Sequence, residues 1–232
     1  MLGQTFSLNP LTIYSAFMGL SEEQREPMTE LILSSSANTD GAYLGDMDGS
    51  SSLHRLPQFL PLFHCLPLGI AEYAEELGVD LSFFDVHVSR SWGTGLTGGA
   101  SIAPHRHWHS HLSAVYYLEI PPDGGQIIFA FEDIQSEFMP GLFAQENVAN
   151  GVLTRNNVRH RAKVPFQVRK DMLLIFPSKT AHEVASNPSE DKRVSVAIDI
   201  LLTLKDATGH EQFIPPVSQW SKLNIPSGSV DD

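Results

Sequence analysis

Four histidines alternate along PHRHWHSHLSAVYYL, residues 104–118: His105, His107, His109 and His111. The chain holds ten histidines in all, so these four are a concentration of imidazole. Imidazole nitrogens bind first-row metals, and an H-x-H pair brings two of them within reach of one ion. On an extended strand alternate side chains share a face, which predicts all four histidines on one side and Arg106, Trp108 and Ser110 on the other. Same-face neighbours lie roughly 6.6 Å apart, which puts His105 about 20 Å from His111. With metal–nitrogen bonds of about 2 Å, one ion takes a neighbouring pair and not the whole row. The bland alternative is a wet strand edge, or core histidines that only form hydrogen bonds.

More donors follow downstream. In DMLLIFPSKTAHEV, His182 comes just after an apolar strand and a proline turn, and eleven residues later Arg193 opens RVSVAIDI. Arg193 and Ser195 alternate onto one strand face, and a guanidinium fork beside a hydroxyl suits a carboxylate. Singly, Arg193 reads as a strand-end surface charge and His182 as a turn histidine. The ordered series H-x-H, YYL, GG-x-I-x-F, FP-x(4)-H and R-x-S carries the functional reading.

These residues need elements to hold them. With 232 residues, 42% hydrophobic and 18% charged, the chain can bury a core in a single domain, 1–232. Its first 80 residues read as a helical flank. Ser21 and Gln24 have the form of a capping box, and Met28, Leu31 and Ile32 fall on one side. Residues 37–52 are loop by composition, and LPQFLPLFHCLPLGIAEYAEELGVD reads as a second buried helix or broken pair closing at Gly78. From there the texture is that of strands: LSFFDVHVSRSW, SAVYYLEI, GQIIFAFE, DMLLIFP and RVSVAIDILLTL. With few helices between them, a mainly antiparallel barrel or jelly roll is expected across 83–204. Residues 133–168 read as a lid-like insertion and 205–232 as an irregular tail.

Charge and cysteine content narrow the partners. A net charge of −12 argues against nucleic acid, whose phosphates need clustered cations. Six of the fifteen lysines and arginines fall within 155–170, among them Arg159 and Arg161, where they could collect an anionic substrate or pair with neighbouring acids. Cys65 is alone, so no intrachain disulfide forms and a cytoplasmic setting is expected. MLGQTFSLNP lacks the pattern of a signal peptide, and FLPLFHCLPLGIA is too short to span a bilayer, so no membrane association is expected.

Across HRHWHSHLSAVYYLEIP, DGGQIIFAFED, LLIFPSKTAHEV and RVSVAIDI, with SRSW upstream, the chain resembles the 2-oxoglutarate/Fe(II)-dependent oxygenases. The likeness is to their prolyl-hydroxylase-like branch, in particular a microbial and phage group with an H-x-H…S-G-V-Y-Y signature. It spans about 83–204 and fades in the N-terminal third. The resemblance implies a double-stranded β-helix with iron(II) on His105, His107 and His182. The distal carboxylate of the cosubstrate 2-oxoglutarate would lie on Arg193 and Ser195, against Tyr117. It also implies consumption of O2, release of succinate and CO2, and hydroxylation of a small-molecule or peptide C–H bond. His109 and His111 would serve in outer hydrogen bonding or at the substrate mouth, and a homodimer is the candidate assembly.

Two positions depart from that pattern. Ala114 replaces a glycine, and His107 stands where the usual two-histidine, one-carboxylate triad has Asp or Glu. Either His107 is itself a ligand or a carboxylate such as Glu119 or Glu183 completes the site. Two other classes fit parts of the motif: a cupin-type metalloenzyme that does not use 2-oxoglutarate, and a non-catalytic jelly-roll binding protein. Dependence on 2-oxoglutarate separates the first, and metal content separates the second.

Overall fold

The computed structural model describes residues 3–4, 6, 8, 10–34, 52–96, 98–122, 124–155 and 157–225. Two sheets face each other. The larger has the order β1 (Tyr14–Phe17), β7 (Met172–Pro177), β4 (Leu112–Glu119), β9 (Arg193–Leu204) and β2 (Phe84–Leu96). The smaller runs β3 (Ile102–His105), β8 (Ala181–Val184), β5 (Ile127–Ala130) and β6 (Lys163–Phe166). Every strand pairing is antiparallel. This is the expected jelly roll, a double-stranded β-helix.

Alternation along β9 shows how the sequence divides the two sides of the large sheet. Val194, Val196, Ile198 and Ile200 are buried in the core shared with helices α1 (Glu22–Ser34) and α2 (Leu60–Glu76). The intervening Arg193, Ser195 and Ala197 line the barrel interior. A strand buried on both faces reads as a nearly continuous apolar run, and its few polar residues stand out for that reason.

The helices are placed by local signals. The backbone N–H of Ser21 donates to Gln24 Oε1 at 2.9 Å, one half of the expected capping box. Met28 and Ile32 are buried, and Leu31 packs beside them. Ile32 lies so close to β2 that a Cβ on Gly93 would stand 2.4 Å from its Cγ1, so only glycine lets α1 dock there. Pro67 is accommodated within α2, which continues unbroken to Glu76 before Gly78 takes a φ of +69°.

Several expectations are corrected. The N-terminal flank is not wholly helical, because Tyr14–Phe17 forms an edge strand on β7. The insertion 133–168, read from the sequence as lid-like, holds a short helix, α3 (Glu146–Ala149), a 3-10 turn at Val158–His160, and β6 paired to β5. The loop expected over 37–52 lies, apart from Ser52, outside the described residues. No described helix is long and apolar enough to cross a membrane.

Candidate active site

The histidine row does not form one strand. β3 ends at His105, a turn follows at Trp108 and His109, and the His107 N–H donates to the Ser178 carbonyl at 3.0 Å. That turn cancels the alternation, so the four rings do not share a face. His111 turns away from the others: its Nδ1 accepts the Leu202 N–H at 3.1 Å, and the ring borders an apolar cavity beside α2. The antiparallel pairing of β3 with β8 sets His105 opposite His182. His105, His107 and His182 therefore converge, with one ligand nitrogen from each within 4.8 Å of the others.

The ring tautomers follow from their neighbours. His105 Nδ1–H donates to the Ala103 carbonyl and His182 Nδ1–H to the Thr180 carbonyl, both at 2.9 Å. His107 Nδ1–H donates to Asp199 Oδ1 at 2.5 Å. Oxygen only accepts in these bonds, so each Nδ1 carries a proton and each Nε2 is the nitrogen left to face a metal. Burial, reinforced by the neighbouring His105, pushes His182 down to about 3, and burial likewise lowers His105. Neutral rings are the form that binds metal. Trp92 stacks on His107 with centroids 5.5 Å apart, and Phe176 meets His182 edge-on at 5.0 Å.

A narrow pocket open to solvent runs from these rings to Arg193. Arg193 is only 1% exposed, its Nε donating to the Gly125 carbonyl at 2.9 Å and its Nη1 to Ser195 Oγ at 3.1 Å. Its guanidinium carbon lies 5.1 Å from the centre of the Tyr117 ring. The Tyr117 hydroxyl is buried with no well-formed hydrogen bond among the described residues, and burial pushes its pKa up to about 12 despite the opposing pull of the adjacent Arg193. Among the described residues no carboxylate pairs with Arg193. A buried cation without an anion costs several kcal/mol by itself, on the order of magnitude expected for desolvation. Gly125 is part of the cradle: at φ +42° a Cβ there would stand 2.5 Å from Arg193 Cδ.

The remaining expected residues are spread more widely. Glu183 is held by Lys163 at 2.8 Å and Glu119 by Lys170 at 2.7 Å, and neither belongs to the histidine cluster. His109 is exposed, and its Nε2 lies 3.0 Å from both Asp199 Oδ2 and Arg90 Nη1. Among the described residues neither Arg159 nor Arg161 lines the cavity that holds the three rings, and Arg161 borders a separate one with Phe143 and His160. The sequence reading gave no role to Asp199, Trp92 or Gly125. Asp199 did leave a signal, as a lone acid in an otherwise apolar stretch of β9, in phase with Arg193 and Ser195.

Comparison with known proteins points to the same family as the motifs. Residues 90–199 match the family model described as "Putative 2OG-Fe(II) oxygenase". Those residues, just under half of the chain, are similar to the 2-oxoglutarate/Fe(II) oxygenases. No curated protein matches it by sequence. Among solved structures, the non-heme alpha ketoglutarate dependent carbocyclase SnoK from nogalamycin biosynthesis is 13% identical, with a TM-score of 0.54 over 88% of this chain and 87% of that one. The epimerase SnoN from the same biosynthesis is 14% identical, with a TM-score of 0.53 over 82% and 78%. A 2OG-Fe(II) oxygenase family oxidoreductase from Burkholderia pseudomallei is 13% identical, with a TM-score of 0.44 over 63% of this chain, which spans 57% of that protein. At such identities the likeness to SnoK and SnoN is one of fold, the double-stranded β-helix.

Proposed function

We propose that His105, His107 and His182 hold the iron(II) of this oxygenase and that Arg193, Ser195 and Tyr117 receive the distal carboxylate of 2-oxoglutarate. One observation carries the reading: a buried arginine and a buried tyrosine hydroxyl, both lacking an anion, share one cavity with three converging imidazole nitrogens. The donor set fits, since neutral nitrogen donors suit a divalent iron and a planar guanidinium suits a carboxylate. Iron(II) with 2-oxoglutarate supplies the oxidative chemistry, in which O2 is consumed, succinate and CO2 are released and a substrate C–H bond is oxidised.

The chain's own residues then do the positioning. Arg193 neutralises the far carboxylate, with Gly125 and Ser195 fixing the direction of its fork. Tyr117 donates its hydroxyl proton as a hydrogen bond to the same carboxylate. Ile102, Ile127 and Val184 keep the walls between the two ends apolar, which strengthens the charge pairing there. Trp108 stands exposed beside the His107 turn, at a place where a substrate could stack.

The substrate is a small molecule or a peptide. We extend this to an anionic one, supported by the basic run 155–170 in a chain of net charge −12. Part of that run is neutralised within the fold, since Lys163 pairs with Glu183 and Lys170 with Glu119 and Glu22. The remaining partner expectations, a homodimer and no nucleic acid, rest on charge and family alone.

The test is iron stoichiometry and 2-oxoglutarate turnover in the purified protein. Alanine at His105, His107 or His182 is expected to abolish stoichiometric iron binding, and His111→Ala to leave it intact. Full occupancy in His107→Ala would move the third ligand elsewhere. Absence of succinate formation across a panel of amino acids, peptides and anionic metabolites, together with no 2-oxoglutarate binding, would favour a cupin-type activity.

A further inference from the structure

Asp199 sits on the interior face of β9 and is fully buried. Its Oδ1 accepts from His107 Nδ1–H at 2.5 Å and from Ser110 Oγ at 3.2 Å, and its Oδ2 lies 3.0 Å from His109 Nε2, which Arg90 Nη1 also approaches to 3.0 Å. Arg90 Nη1 lies 4.0 Å from Oδ2. Orienting a ring does not require an anion. His105 and His182 are held in the same tautomer by neutral backbone carbonyls. Only His107, the ring that replaces the triad's carboxylate, is backed by a charge.

The charge count explains why that ring is the one so treated. Two neutral histidines and one carboxylate around iron(II) leave one net positive charge, whereas three neutral histidines leave two. A carboxylate hydrogen-bonded to the third histidine returns the total to one, displaced outward by the width of an imidazole. A buried carboxylate is costly unless a positive centre compensates it, and a metal behind His107 adds such a centre to Arg90 at the rim.

We propose that Asp199 is the carboxylate of this iron site moved one ring outward, a positioning residue that acts through His107 by making it a more basic ligand. This rests on the reading that the three histidines bind iron. The carboxylate–histidine–metal arrangement is known to raise ligand basicity and metal affinity in general.

The test is anaerobic competition for iron(II), and in parallel cobalt(II), between a chelator of known affinity and four proteins: wild type, Asp199→Asn, His107→Asp and the double variant. Asp199→Asn keeps an acceptor for the ring and removes the charge, and is expected to weaken metal binding about 10–100-fold. His107→Asp alone brings a second carboxylate towards Asp199 and is expected to bind weakly. The double variant restores a two-histidine, one-carboxylate site with a neutral neighbour, and is expected to bind at least about tenfold more tightly than either single variant. The cobalt(II) absorption spectrum reports coordination independently of activity.

Asp199→Asn binding as tightly as wild type, or a double variant no better than the singles, overturns the proposal. A wild type that binds no iron overturns instead the metal reading beneath it. Should the variants not fold, proton NMR of the zinc-loaded wild type decides the matter. The His107 Nδ1 proton, held by a carboxylate, is expected well downfield of those of His105 and His182, which face carbonyls. Three similar shifts would overturn the proposal.

Discussion

Tyr116 and Tyr117 are neighbours in β4, both fully buried, and an arginine lies near each, yet they belong to opposite kinds of site. The Tyr116 hydroxyl donates to Asp171 Oδ1 at 2.8 Å, and Arg25 stands 3.6 Å from the same oxygen. Asp171 also accepts the N–H groups of Gly19 and Leu20, joining the start of α1 to the β-sheet. Tyr117, on the other face, has its arginine in Arg193 and, among the described residues, no carboxylate. The same combination of groups is closed by the chain on the helix side and left open in the barrel. The closed one is an architectural joint, whereas the open one is the receptor proposed above for an anion.

The comparison breaks most readily at Arg193. Arg193→Ala is expected to cost about 2–5 kcal/mol of 2-oxoglutarate binding, with Arg193→Lys a poor rescue because it lacks the fork. Iron binding should persist in both. The ligand-free protein should lose little thermal stability, since the cation it loses had no anionic partner. A melting temperature that falls as far as in an Asp171 variant would make Arg193 another joint.

Gly125→Ala sharpens the same side. A methyl group 2.5 Å from Arg193 Cδ must push the guanidinium aside. Overpacking of this kind costs typically about 1–3 kcal/mol, expected here as weaker 2-oxoglutarate binding by calorimetry with iron stoichiometry unchanged.

Asp171→Asn tests the other side. It tolerates the residue's positive φ of 66° while removing the charge that Arg25, Tyr116 and Gly19 share. Chemical denaturation should show a loss of roughly 1–2 kcal/mol, as for stranded buried donors, with 2-oxoglutarate affinity unaltered.

The smallest effect lies at His111, outside both sites. Partial burial holds its pKa below 6.5 in the folded chain. As pH falls below 6.5 the unfolded chain takes up that proton more readily than the folded one, so stability declines from pH 6.5 down to the folded value. His111→Gln should flatten the acid limb of a stability–pH curve measured without metal. An unchanged curve would show that the ring is freely solvated.

How much of this was legible in the sequence depended on range. Period-two alternation and ordered motifs revealed β4, β7 and β9, and with them His182, Arg193, Ser195 and Tyr117. The four-residue strands β3, β6 and β8 are too short to carry a period, and β1 was hidden inside a stretch read as helix. The histidine row misled because its spacing imitates a strand, while the turn at Trp108 and His109 is set by contacts with residues distant in sequence, Ser178 just after β7 and Asp199 in β9. The pair YY looks symmetrical in sequence. Only the folded chain shows that Asp171 answers one tyrosine and that no carboxylate among the described residues answers the other.

The most direct measurement compares two ligands in the anaerobic, iron-loaded wild type by calorimetry: 2-oxoglutarate and 2-oxopentanoate, which keeps the five-carbon oxo acid but lacks the far carboxylate. If Arg193 and Tyr117 are open for that carboxylate, 2-oxoglutarate binds stoichiometrically and 2-oxopentanoate binds at least about a hundredfold more weakly, the lower end of a buried charge-pair loss. Equal affinities for the two, or no binding of 2-oxoglutarate, would contradict it.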